Sequence, residues 1–184
     1  METLYKNIHQ DIIDGCKEGN QKAQFQLYKL YYKTMYSVSM RIINDEMEAE
    51  DVMQEAFLSA FEKIDTYKGE VSFGAWLKKI VINRSLDHLK KKRVKFEEVT
   101  EKTERIPDYQ MEIKEVDVNQ IKKAIQQLPV GYRVVLSLYL IEGYDHEEIS
   151  QILEISNSAS RTQLLRAKNK LREQLKDKEI FSYN

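Results

Sequence analysis

The stretch Ala49-Glu50-Asp51-Val52-Met53-Gln54-Glu55-Ala56-Phe57-Leu58-Ser59-Ala60-Phe61-Glu62-Lys63-Ile64 decides the fold. Ala49, Val52, Met53, Ala56, Phe57, Ala60, Phe61 and Ile64 advance in alternating steps of three and one, which puts them on one face of an α-helix. A strand, with its period of two, does not give this pattern. Upstream, Asn20 is placed to cap a helix reaching about Ile43, with Phe25, Tyr28, Tyr32, Met35, Tyr36 and Ile43 as its inner residues. Before it, Ile8, Ile12 and Cys16 mark a shorter helix that ends at Gly19. Downstream, Asp65 to Ser72 breaks the periodicity with Gly69, and a basic helix runs from Phe73 to about Arg93 with Trp76, Leu77 and Ile80 inward.

Composition agrees with this reading. The 184 residues are 42% hydrophobic and 32% charged, with only 6 Gly and 2 Pro, too few turn residues for a strand-rich fold. The expected class is all-α, with two small helical domains joined by a flexible linker. Domain one spans 1–93, an acidic linker 94–117, domain two 118–178 and a tail 179–184. Between Val94 and Asp117 there are eight acids against four bases and few apolar residues at helical spacing. The longest uncharged apolar run, Val134 to Ile141, is far short of the ~20 residues that span a bilayer, so no membrane insertion is expected. The N-terminus lacks the pattern of a secretory signal, and the lone Cys16 fits a reducing compartment, so a cytoplasmic location is expected.

Lys plus Arg number 29 against 30 Asp plus Glu, yet the balance is not local. Asp45 to Glu55 holds six acids and no base, and Lys78 to Lys95 then holds eight bases against Asp87. Glu142 to Glu154 holds five acids, and Arg161 to Lys178 then holds seven bases against Glu173 and Asp177. Basic faces suit a polyanion, while acidic faces on the same chain suit a separate, basic partner.

In the second domain Val118, Ile121, Ile125 and Leu128 form a stripe that stops before Pro129, and a second helix runs to Gly143. Asp145 and Glu148 have capping-box spacing, starting a helix that buries Ile149, Ile152 and Leu153. After a break at Ser156-Asn157, the last helix turns Arg161, Thr162, Leu165 and Arg166 outward. Helix, short turn and basic second helix is the helix-turn-helix layout, whose second helix enters the DNA major groove. Ahead of the first basic helix stand Tyr67, Phe73 and Trp76, aromatic faces suited to stacking unpaired bases, with a core role the alternative for Phe73 and Trp76.

Signatures of an enzyme are missing. His146-Glu147-Glu148-Ile149-Ser150 has Ser where a zinc protease needs its second His, and Gly15-Cys16-Lys17-Glu18-Gly19 lacks the Gly-Lys-Ser/Thr of a phosphate loop. His9 and His88 have no neighbours at metal-ligand spacing. No catalytic site, metal or cofactor is expected.

Ala49 to Phe57, Tyr67 to Leu77 and Asn83 together resemble region 2 of the ECF (extracytoplasmic function) sigma factors of the sigma-70 superfamily. Leu128-Pro129 with Tyr132-Arg133, Glu142-Gly143-Tyr144 with Glu147-Glu148-Ile149, and Arg161 to Lys168 resemble region 4. The resemblance covers about 20–175, in the family's order. It implies that the acidic helix docks on the coiled coil of the largest subunit of core RNA polymerase through Asp51, Gln54, Glu55 and Leu58. It also implies that the next loop and basic helix read the minus-10 promoter element as single strand. The residues in place for that are Tyr67, Lys68, Gly69, Ser72, Phe73, Trp76, Lys78, Lys79, Asn83 and Arg84, with the 67–72 loop holding a flipped base, Tyr67 as its stacking face and the Ser72 hydroxyl on a base edge. The final helix reads duplex minus-35 DNA, with Ser158, Arg161, Thr162, Leu165 and Arg166 in place, although Ser158-Ala159-Ser160 stands where many members have Gly-Thr-Val. An anti-sigma factor is a further implied partner. The competing classes are a free-standing helix-turn-helix regulator, which usually needs a dimer seam not evident here, and a protein-binding helical adaptor, which needs no paired basic helices.

Overall fold

The computed structural model describes residues 7–92, 96, 112–113, 117–176 and 181–182. Most of the acidic 94–117 segment and of the 179–184 tail therefore lies outside the described residues. The chain divides into two compact units, Met1–Arg93 and Val94–Asn184. Both are helical. A pair of two-residue strands, β1 Glu112–Ile113 and β2 Phe181–Ser182, adds a short antiparallel ladder to the second, with Glu112 opposite Ser182.

The first unit contains α1 (Gln10–Lys17), α2 (Gln21–Ile43), α3 (Glu46–Glu62), a 3-10 turn at Ile64–Thr66 and α4 (Phe73–Lys91). Each of the last three helices starts on a side chain that takes orphan N–H groups: Asn20 from Lys22 and Ala23, Asp45 from Glu48, and Ser72 from Ala75. α2 ends on Asn44 in the left-handed conformation, φ 64°. The face read on α3 is buried from Ala49 through Ala60 and packs on α2 and α4. At the α2–α4 crossing the Ser85 hydroxyl donates either to Ser39 Oγ at 3.1 Å or to the Val81 carbonyl at 2.8 Å, so these two buried hydroxyls satisfy each other. Gly15 has a packing reason, since a Cβ there would stand 2.9 Å from Ala23 Cβ where α1 meets α2.

Several inner positions differ from the sequence reading. Ile8 precedes α1 and is 94% exposed, while Ile13 takes the core position above Cys16 because the helix starts only at Gln10. Phe25 and Tyr32 are exposed on α2, whose buried line is Ala23, Leu27, Met35, Val38 and Ile42. On α4 the buried line is Phe73, Leu77, Val81 and Ile82, leaving Trp76 and Ile80 half-buried.

The second unit packs α5 (Val118–Gln126), α6 (Val130–Leu140) and α7 (His146–Leu153) against α8 (Asn157–Lys176). Val118 is exposed, and α6 stops at Leu140 before Gly143, which sits in the following turn at φ 81°. The Asp145–Glu148 capping box is complete in both directions, at 2.8 and 2.9 Å. Among the described residues no helix is long and apolar enough to cross a membrane.

Candidate nucleic-acid interface

On α3 the polar face holds Asp51, Gln54, Glu55 and Leu58, all exposed, with Leu58 at 64%. Beside it a groove of about 480 Å³ runs between α2 and α3, walled by Phe25, Tyr28, Phe57, Leu58 and Phe61. This accounts for Phe25 lying outside the core. Exposed apolar side chains gathered in one place mark an interaction surface more than isolated ones do.

The loop before α4 is tied inward. Tyr67 is 4% exposed; its hydroxyl donates to the Val71 carbonyl at 2.7 Å and accepts from the Asn7 amide at 2.8 Å. Asn7 Oδ1 in turn accepts the Phe73 N–H at 3.0 Å. The rings of Tyr67, Phe73 and Trp76 meet pairwise with centroids 5.4 Å apart. Tyr67 and Phe73 are thus core residues, and the expectation of Tyr67 as a stacking face is corrected: ring packing covers it and its hydroxyl is satisfied only by pointing inward. Trp76 keeps part of its ring at the surface. Lys68 and Glu70 project from the loop, and Gly69 supplies the φ of 77° that turns it. The Ser72 side chain caps α4 through its oxygen. Asn7 was not legible as part of this loop, because it lies sixty residues from Tyr67 and no local pattern marks it.

Along α4, Ala75, Lys79 and Asn83 are exposed at helical spacing, flanked by half-buried Trp76, Lys78, Ile80 and Arg84. Aromatic, cationic and amide groups therefore share one surface stripe. Part of the basic run has structural work as well. Arg84 donates to Ser59 Oγ on α3 at 3.2 Å. Glu48, on α3, bonds Lys92 and has His88 Nε2 at 3.0 Å, and these two, Lys92 first, hold its carboxyl below the usual range.

In the second unit α7 and α8 form the helix-turn-helix, with Glu154 at φ 58° making the turn. That left-handed conformation costs a non-glycine residue about 1 kcal/mol. Ser158 and Arg161 are exposed, and Leu165 and Arg166 are half-buried. Thr162 is 7% exposed: it falls in the Ala159–Gln163–Ala167 stripe that faces the other helices, which corrects the outward placement expected of it. Arg133 is also interior, donating to the Leu128 carbonyl at 3.1 Å, and burial pulls its guanidinium below the ordinary value.

His146 pins the two helices together. Its Nδ1 lies 2.9 Å from buried Ser160 Oγ on α8, and its ring stacks on Tyr139 at 4.6 Å. Burial and then the Arg161 charge pull its pKa down, with Lys168 adding to this and Asp145 opposing. The folded unit therefore favours neutral imidazole, and the unfolded chain binds the extra proton. This stability is present above the ordinary histidine value of about 6.5 and is lost as pH falls through the lower folded value. Amide protection factors of α7 and α8 in the full chain are expected to drop as pH falls below about 6.5, and less so in His146→Gln. Equal pH dependence in both proteins would contradict this role for His146.

Comparison with known proteins follows the same division. A family model of sigma-70 region 2 matches residues 27–94, and one of sigma-70 region 4 matches 119–171. The ECF RNA polymerase sigma factor SigW of Bacillus subtilis (strain 168) is 30% identical over 178 residues, covering 90% of this chain and 95% of that one. The RNA polymerase sigma-H factor of Pseudomonas aeruginosa is 25% identical over 178 residues, covering 90% and 92%. The fold is shared with the sigma factor RpoE of Bartonella quintana, solved in complex with the anti-sigma factor NepR, at TM-score 0.56 and 23% identity over 82% of this chain and 95% of that one. With both regions matched in order and a relative aligned along nearly its full length, this chain belongs to the ECF sigma factors of the sigma-70 family.

Proposed function

We propose that the chain is an alternative sigma factor that brings core RNA polymerase to specific promoters and opens them, acting in the cytoplasm by binding and not by catalysis. The observation that carries the reading is the pairing, within one chain, of an exposed acidic-apolar helix face with two separate cation-bearing helices. In this reading Asp51, Gln54, Glu55 and Leu58 dock on the polymerase. Lys68, Gly69 and Ser72, with Trp76, Lys78, Lys79, Asn83 and Arg84, handle the melted minus-10 strand. Tyr67 and Phe73 act there by holding the loop. Ser158, Arg161, Leu165 and Arg166 face the minus-35 duplex, with Thr162 supporting them from within. By analogy with the sigma factor solved on its anti-sigma partner, an anti-sigma protein is a further partner. A free-standing repressor leaves the exposed face of α3 without a use.

Alanine at Arg161 or Arg166 is expected to weaken binding of the polymerase-bound protein to a promoter by ~1 to 3 kcal/mol where the lost contact is to a base. If the contact is to phosphate, all sequences weaken alike and the salt slope falls by about one. Titration of promoter fragments at several salt concentrations separates these outcomes, and unchanged binding at both positions removes α8 from the DNA face.

A further inference from the structure

The first side chain of α8 is not the helix cap. Ser156 Oγ takes the Ala159 N–H at 3.1 Å, which leaves the Asn157 amide for lateral bonds. Asn157 Oδ1 accepts from Arg161 Nε at 2.8 Å, one turn along α8, and Asn157 Nδ2 donates to Glu147 Oε2 on α7 at 3.3 Å. Arginine can only donate and an ionised carboxylate can only accept, so both bonds demand the same amide orientation and a flipped amide loses both. Glu147, Asn157 and Arg161 thus form one relay across the two helices of the helix-turn-helix, ending on an exposed guanidinium.

We propose that Asn157, oriented by Glu147, is a positioning residue that holds Arg161 for end-on recognition of a guanine in the promoter duplex. The inference rests on the reading that α8 faces promoter DNA. With Nε committed to Asn157, the two terminal amino groups of Arg161 are the ones turned to a ligand. Their spacing matches the O6 and N7 acceptors of guanine, whereas adenine offers a donor in place of one of them. A long side chain fixed before binding loses less conformational freedom on contact, so the relay sharpens preference for one base without adding a contact of its own.

The test uses the full chain assembled with core polymerase and a duplex library randomised across the minus-35 element. Arg161→Ala should abolish guanine preference at one position. Asn157→Ala should lower that preference roughly tenfold at the same position with the salt slope unchanged. Glu147→Gln keeps the acceptor and should retain the preference, while Glu147→Ala should lose part of it. Guanine preference kept in Asn157→Ala but lost in Arg161→Ala overturns the positioning role and leaves α8 on DNA. No change in Arg161→Ala overturns the assignment of Arg161 to a guanine and the relay with it, and a silent Arg166→Ala as well overturns the reading of α8 itself.

Discussion

Replacing Asp51 and Glu55 together by lysine is expected to cut affinity for core RNA polymerase by about a hundredfold while the chain stays folded. Both side chains are exposed on α3, opposite the buried Val52, Met53, Ala56 and Phe57, so the core keeps all its contacts. Surface changes of this kind usually move stability by no more than about 0.5 kcal/mol. At a docked interface, by contrast, like charges brought together cost several kcal/mol, and about 1.4 kcal/mol is a factor of ten. Equilibrium binding to core polymerase, with helicity followed in parallel, checks the prediction. Full affinity in a folded double variant would mean that a different face docks.

Asn7→Ala should act on the opposite side of the balance, through stability and then through promoter opening. It leaves the buried Phe73 N–H without its acceptor and removes the amide donor to Tyr67. A buried group left unpaired costs about 1–3 kcal/mol. In a unit of this size each kcal/mol lowers the melting midpoint by roughly 4–8 °C. The sole tryptophan, Trp76, packs against both Tyr67 and Phe73, so its emission reports the loop directly. A lowered midpoint, shifted Trp76 emission and weaker promoter opening are expected together, and Tyr67→Phe, which removes only the hydroxyl, should show a smaller version of each. An unchanged midpoint and emission in Asn7→Ala would mean that packing alone holds the loop.

These two cases mark the limit of what a sequence discloses. The Ala49–Ile64 face and the Asp145–Glu148 capping box were legible because helix periodicity and capping are local, set by residues within a turn or two of one another. The outward residues of α3 followed from that face by subtraction. Tyr67 was not legible as a core residue, because its burial depends on Asn7 and on rings from the next helix. Thr162 was misplaced for a related reason: three residues beyond Ala159, it sits on the inner stripe of α8, and a polar residue among basic ones hides that membership. Phe25 reads as core by composition, yet it walls a groove because α2 turns a different line inward. Charge patterning located the basic helices without showing which cations are occupied. Arg84 and Lys92 reach α3, a long-range pairing no spacing rule reveals.

Coupling of polymerase docking to promoter recognition and opening within one chain is read out by transcription in vitro. Purified chain and core RNA polymerase are supplied with a pool of promoter fragments, and transcript starts are mapped. Starts are expected at a restricted set of promoters, needing both proteins and vanishing when Asp51 and Glu55 are lysine. Sequence-specific DNA binding by the chain alone, with no starts when core polymerase is added, would contradict this coupling.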